Sequence, residues 1–296
     1  MSRRIHYIQT KFLDLAFEQE GRPSDPPVIL LHGWPDDVRT WDRIVPRLTA
    51  AGFRTIAPYL RGFGPTRFRS GSTLRSGQIA ALGADLIEMA QALGLERFAL
   101  VGHDWGARAA YIAAAEIPDR VSHVVALSVG YGTNHPDQAL PIHQVRNYWY
   151  HWYFCLPRGA ELVRQSGREL ARFMWQTWSP TWTFSDAEYD ETARSFENPD
   201  WAGITIHSYR HRWGQAEGDP HYDALEHRLA RPAKLAVPTL VLHGAADGAN
   251  DPVTSAGKEQ YFSSRYKREV LPNVGHFLQR EDPERVADEI IAWLKA

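Results

Sequence analysis

Hydrophobic positions along this chain switch repeatedly between the strand period and the helix period. V-I-L-L-H (28–32), entered after Pro27, is a short continuous apolar run of the kind a strand buried on both faces shows. A helical pattern follows over W-D-R-I-V-P-R-L-T-A (41–50), closed by Gly52, and R-T-I-A-P (54–58) reads as the next strand. Ile79, Leu82, Leu86, Met89 and Leu93 step by 3, 4, 3 and 4, which predicts one face of an amphipathic helix ending at Gly94. F-A-L-V-G (98–102) and V-S-H-V-V-A-L (121–127) are strands, and between them the alanine-rich stretch 107–116 is a helix stopped by Pro118. The rhythm lapses between about residues 133 and 232, where the chain turns aromatic and helical. Seven of its eleven tryptophans fall there: Trp149, Trp152, Trp175, Trp178, Trp182, Trp201 and Trp213. It resumes at V-P-T-L-V-L-H (237–243), Y-K-R-E-V-L-P (266–272) and a last helix through Ile290, Ile291 and Leu294.

This alternation predicts an α/β fold: a mostly parallel sheet flanked by helices, with a mainly helical cap inserted. The expected division is a core in two parts, 1–132 and 233–296, and a cap over 133–232. A cap placed over the carboxyl edge of the sheet would roof a pocket.

Composition narrows the setting. The 296 residues, 44% hydrophobic, suffice for one large core, and a formal charge of −2 gives no broad attraction to nucleic acid or a membrane surface. Cys155 is the only cysteine, so no intramolecular disulfide forms, and its aromatic neighbours predict a buried, inert thiol. The R-R near the start lacks a following apolar region, and no apolar run approaches the roughly 18 residues of a membrane span. A cytoplasmic protein is expected. Patterning alone does not specify an oligomeric state.

The chemistry centres on V-G-H-D-W-G (101–106). Strand, glycine, nucleophile, glycine and helix follow in the order of the turn that presents a catalytic serine as G-x-S-x-G, with Asp104 in the serine's place. A plainer role for Asp104 is to cap the following helix. Asp247 follows the strand 237–243, with Asp251 as its competitor in H-G-A-A-D-G-A-N-D-P, and His276 follows V-G in a loop before the last helix. Nucleophile, acid, histidine is the chain order of a hydrolase triad on such a sheet. L-L-H-G-W-P (30–35) leaves its strand into a loop where the Trp34 backbone N–H, with that of Trp105, can form an oxyanion hole. Trp34, Pro35 and Trp105 then line the substrate pocket. The Trp34–Pro35 bond is a candidate for the cis form.

An aspartate in that position redirects the chemistry. A serine that attacked an sp3 carbon would be left as an ether, which activated water does not cleave. A carboxylate is left as an ester, whose carbonyl carbon water can attack with His276 as general base.

H-G-W-P, G-H-D-W-G, the acid loop and V-G-H-F together resemble the α/β-hydrolase superfamily, in the branch of soluble epoxide hydrolases. The resemblance implies hydrolysis of a small hydrophobic epoxide by water to a vicinal diol, with no cofactor and no metal. It also implies two cap tyrosines that donate protons to the leaving oxygen. N-Y-W-Y-H-W-Y-F-C-L-P-R-G-A-E aligns Tyr150 with the first, with Tyr148 and Tyr153 beside it, and H-S-Y-R-H-R-W aligns Tyr209 with the second. Haloalkane dehalogenases share H-G-x-P and G-x-D-W-G, so that activity is the alternative; a ligand-binding relative without turnover is a third. Dehalogenases usually carry Asn or Glu where this chain has Trp34. The arginine pair of fluoroacetate dehalogenases is half present, with Arg108 but Trp105. His207 and His211 are spaced i,i+4 without the Glu of H-E-x-x-H, which predicts packing and polar contacts. R-G-F-G-P-T-R-F (61–68) lacks the full dinucleotide fingerprint and reads as a sheet-edge loop.

Overall fold

Among the described residues nine strands form one sheet, in the order β1-β2-β4-β3-β6-β7-β8-β9 with β5 against β2. They are β1 (Ile5–Gln9), β2 (Leu13–Glu20), β3 (Pro27–Leu31), β4 (Arg54–Pro58), β5 (Arg67–Phe68), β6 (Phe98–His103), β7 (Val121–Leu127), β8 (Thr239–Gly244) and β9 (Tyr266–Leu271). The helices are α1 (Val45–Ala50), α2 (Ile79–Ala92), α3 (Trp105–Glu116), α4 (Ile142–Asn147), α5 (Trp149–Cys155), α6 (Pro157–Trp178), α7 (Asp186–Ala193), α8 (Trp201–Arg212), α9 (Asp223–Leu229), α10 (Leu278–Glu281) and α11 (Pro283–Lys295). The molecule is a computed structural model that describes residues 4–132 and 139–296. Residue 133, the expected start of the insertion, and the first three residues lie outside that range.

The continuous apolar strands supply two cores at once, because side chains alternate across a strand. Ile29, Leu31, Leu100, Val124 and Val241 face the layer that includes Leu82, Leu86 and Met89 of α2 and the alanines of α3. Val28, Leu30, Val101, Val125, Leu240 and Leu242 face Leu48 of α1 and Val286, Ile290 and Trp293 of α11. A slip of one residue in any central strand would exchange its two faces, so burial on both sides pins the register. The alanines at 107, 109, 110, 113 and 114 let α3 lie close to the sheet; all are buried.

β3, β4 and β6 to β9 are parallel, so the loops after β3, β6, β8 and β9 leave from one edge. In such sheets the carboxyl edge is where ligands bind. Helices α4 to α9 all lie between β7 and β8 in the chain.

Two local expectations change, and one strand pair has no counterpart among them. The helical pattern 41–50 is a short 3-10 turn at Val38–Trp41 followed by α1, because Pro46 lacks the N–H an unbroken helix would need and instead sits at the start of α1. The antiparallel pair β1–β2 carries no strong sequence signal, since β1 is an exposed edge whose residues are half-buried at best. Cys155 is half-buried, not buried, with Sγ 3.2 Å from the His151 carbonyl. No helix among the described residues is long and apolar enough to cross a membrane.

Candidate active site

At the end of β6 the chain turns into α3 through Asp104, whose backbone takes φ 49° and ψ −112°. A non-glycine residue held there stores roughly 1–3 kcal/mol of strain, which the surrounding packing must offset. The glycines make the turn possible. A Cβ on Gly102 would lie 2.4 Å from the Gly106 carbonyl oxygen, and one on Gly106 would lie 2.2 Å from that of Leu31. The Asp104 side chain does not cap α3. Its Oδ1 instead accepts the Trp34 backbone N–H over 3.0 Å. Trp105 is the first residue of α3, so its backbone N–H is among the helix's unpaired first-turn donors. The Trp34–Pro35 bond is cis.

His276 is fully buried, and its Nδ1 lies 3.0 and 2.9 Å from the two carboxylate oxygens of Asp247. With Nδ1–H donating to that carboxylate, Nε2 is the bare acceptor, and it is buried with no partner among the described residues. Burial by itself would raise the Asp247 pKa. The charge of His276 and hydrogen bonds from His243 and His276 outweigh it and hold the carboxyl well below its ordinary range. The amides of Ala249 and Asn250 also donate to Oδ1, each over 2.8 Å. Burial would lower the His276 pKa, but the charge and hydrogen bond of Asp247, with the charge of Asp104 behind them, turn the net shift upward.

Asp251 is turned away. Its Oδ2 stands 3.0 Å from His143 Nε2, and its Oδ1 caps the short turn after Pro252. Asp247→Asn should therefore place an N–H donor against Nδ1–H, upset the tautomer and cut turnover by about 10⁴-fold, as in a serine triad. Asp251→Asn should be mild. Steady-state rates of the two variants decide, and the reverse order would move the acid role to Asp251.

The loop bearing His276 is held by residues the sequence did not single out. Ser179 Oγ accepts the backbone N–H of His276 over 2.9 Å and donates to Glu281 over 2.5 Å; Glu281 also accepts from Gly275 N–H over 2.8 Å. The His276 carbonyl accepts from His103 Nε2 and Ser128 Oγ. Only Gly275 hinted at such crowding, where a Cβ would lie 2.5 Å from Ser179 Cα.

Above Asp104 the insertion closes an aromatic roof. The Trp34 ring lies parallel to Tyr150 at 5.8 Å and edge-on to Tyr209 at 5.3 Å, and the rings of Tyr150 and Tyr209 are 5.2 Å apart. Thr205 Oγ1 fixes the Trp34 indole N–H over 3.0 Å, and Pro35 O accepts from Trp175 over 2.8 Å. Burial, then the neighbouring phenol and the Asp104 charge, push Tyr150 well above an ordinary tyrosine; burial and then Asp104 do the same to Tyr209. Both therefore keep their protons through neutral and moderately alkaline pH. Tyr148 is committed elsewhere, its hydroxyl donating to Asn250 Oδ1 over 2.8 Å, and Tyr153 packs beside Trp149 with ring centres 6.2 Å apart.

The weaker motifs have local partners. His207 accepts from Gly77 N–H and its other ring nitrogen lies 3.0 Å from the Glu217 carbonyl. Arg61, in the G-x-G stretch, is buried and pairs with Asp85 over 2.6 Å. Arg108 is buried in α3 one turn beyond Asp104.

The alpha/beta hydrolase fold family matches residues 26–283. A solved structure from Klebsiella pneumoniae, provisionally assigned as an epoxide hydrolase, superimposes with a TM-score of 0.91 at 38% identity, covering 99% of this chain and 98% of that one. Epoxide hydrolase A of Mycobacterium tuberculosis is 28% identical over 97% of this chain and 96% of its own length. A fluoroacetate dehalogenase from a Burkholderia species is 34% identical, but over only 44% of this chain and 42% of its own.

Proposed function

The chain belongs to the α/β-hydrolase fold family, in its epoxide hydrolase branch, and on that premise we propose that it converts an epoxide to a vicinal diol through an ester on Asp104. The observation that carries this reading is the pair of buried, proton-bearing tyrosines, Tyr150 and Tyr209, packed with Trp34 over the nucleophile. Asp104 attacks an epoxide carbon and the ring C–O bond breaks toward the tyrosine hydroxyls, which donate a proton to the leaving oxygen. Water, deprotonated by His276 Nε2, then attacks the Asp104 carbonyl carbon. The N–H groups of Trp34 and Trp105 hold the oxyanion until the ester C–O bond breaks. The two protons of the water, one of them by way of His276, end on the departing diol oxygen and on the tyrosinate, which restores the Asp104 carboxylate and neutral His276. Asp247 fixes the His276 tautomer and stabilises its charged form. In this reading residues 133–232 act as the cap, between core segments 1–132 and 233–296.

The alternative, release of halide by the same nucleophile, is favoured by one observation, the partial likeness to the fluoroacetate dehalogenase. A side-by-side panel of epoxides and haloalkanes separates the readings, with diol expected and little halide. The mechanism is tested by a single turnover with excess enzyme in ¹⁸O-water. The heavy oxygen is expected in the Asp104 side chain. Label found only in the diol would mean direct attack by water and would remove the ester. A cytoplasmic setting goes with this reading, supported by the lone, half-buried cysteine.

A further inference from the structure

β8 reads T-L-V-L-H-G, and every residue of it is buried. His243 is the one ionisable side chain on that strand, and a ring taken wholly out of water needs a partner for each nitrogen. Both partners belong to the loop that bears the acid or to its flank. Nε2 lies 2.8 Å from the Asn250 carbonyl oxygen and 3.3 Å from Asp247 Oδ2, and Nδ1 lies 2.9 Å from Ser255 Oγ. A carbonyl oxygen only accepts, so Nε2 carries the hydrogen, and the same N–H leans on the carboxylate. The far side of the ring fits that tautomer. Ser255 Oγ accepts from Arg268 Nε over 2.8 Å and lies 3.0 Å from the Pro252 carbonyl, which already accepts from Arg268 Nη2 over 2.5 Å. The Ser255 hydrogen is thereby available to Nδ1.

Asp247 thus stands between two imidazoles. The amides of Ala249 and Asn250 hold Oδ1, His243 holds Oδ2, and His276 Nδ1 meets both oxygens. A simpler role for His243 would be to close the 247–251 loop through the Asn250 carbonyl alone. Its approach to Oδ2 goes further, and its hydrogen bond is among the influences that hold the Asp247 carboxyl below the ordinary range. A donor on one carboxylate oxygen draws off part of the negative charge that the group presents to a second partner. A histidine held too tightly by its acid stays protonated and cannot take a proton from water.

We propose that His243 is a positioning residue for ester hydrolysis, which fixes the second oxygen of Asp247 and moderates the pull of that carboxylate on His276. The proposal deepens the epoxide reading and rests on it only for the reaction that the base serves. Asp104 and His103 at the end of β6, Glu281 of α10 and Tyr148 before α5 also face the pair, and all stay in place in the variants below. The tautomer is read without substrate, by NMR of the ring nitrogens of the unmodified protein: His243 should bear a hydrogen on Nε2 and none on Nδ1. The reverse would overturn the proposal, because Nε2 would then have nothing to give Asp247, and this measurement decides even if a variant fails to fold. His243→Phe keeps a ring without a donor, and His243→Gln sets an amide N–H near the place of Nε2; thermal melts establish that each folds. The His276 pKa, read by NMR, should be higher in His243→Phe than in the unmodified protein and should return towards it in His243→Gln. In single turnovers of an epoxide at neutral pH, His243→Phe should slow ester hydrolysis about tenfold more than alkylation of Asp104, the scale on which outer partners of histidines and carboxylates act. A His276 pKa that is unchanged or lower in His243→Phe, or equal slowing of the two steps, would reduce His243 to a packing residue and overturn the assignment. The expected tautomer and pKa changes without turnover of any epoxide would remove the epoxide reading and leave His243 its hold on Asp247.

Discussion

His276→Gln is expected to stop the cycle half-way, leaving a covalent adduct on Asp104 that mass spectrometry detects after incubation with an epoxide. The two half-reactions ask different things of this site. Alkylation needs the Asp104 carboxylate and the cap hydroxyls; ester hydrolysis needs a base, and the only unpartnered nitrogen on the His276 ring is Nε2. Losing that base should slow hydrolysis by about 10²–10⁴-fold while alkylation continues. The pH dependence follows from the charges. His276 works as a base only when neutral, so ester hydrolysis should rise with pH as His276 loses its proton; in the free protein that pKa is raised above the ordinary histidine value, Asp247 and then Asp104 outweighing burial. Once Asp104 is an ester its negative charge is gone, and one of the influences raising that pKa goes with it. The pKa read from single-turnover ester hydrolysis should therefore lie below the pKa of His276 in the free enzyme, read by NMR. Full turnover by the variant without any adduct would take His276 out of the mechanism, and equal pKa values would show that Asp104 does not act on it.

Tyr150→Phe with Tyr209→Phe is expected to slow alkylation of Asp104 by about 10²–10⁴-fold, the range of acid assistance to a leaving group. Either single change should leave partial activity, since the other hydroxyl still donates. Phenylalanine keeps the ring that packs with Trp34, so the comparison isolates the hydroxyls from the packing. Stopped-flow tryptophan fluorescence, followed separately from ester hydrolysis, gives the alkylation rate. Alkylation of the double variant by an epoxide at the unmodified protein's rate would show that these tyrosines are not the acids. A haloalkane should react with the double variant about as it does with the unmodified protein, because halide leaves without a proton.

Much of the site could be placed from local spacing because its parts are local. Gly102, Asp104 and Gly106 lie within one turn, where the backbone angles of residue 104 admit only small neighbours. The apolar runs at β3, β6, β7 and β8 are strong signals because those strands are buried on both faces. β1 is harder to see for the converse reason: an exposed edge does not need a continuous apolar run.

The choices left open were all between residues a few positions apart. Asp247 and Asp251 share one loop, and the sequence places both after the same strand. The structure separates them: the amides of Ala249 and Asn250 and the ring of His243 gather on Asp247, whereas Asp251 turns to His143. Tyr148, Tyr150 and Tyr153 lie on neighbouring turns, and it is Asn250, about a hundred residues away in the chain, that engages the Tyr148 hydroxyl and leaves Tyr150 to Trp34 and Tyr209. The same distance hides the bracket of Ser179 and Glu281 around His276. By itself the sequence determined the parallel strands of the sheet, the turn at residue 104 and the chain order of Asp104, Asp247 and His276, because backbone sterics and strand burial act over a few residues. Which oxygen meets which nitrogen was decided only by tertiary structure, because hydrogen bonds depend on where distant loops arrive at the same sheet edge.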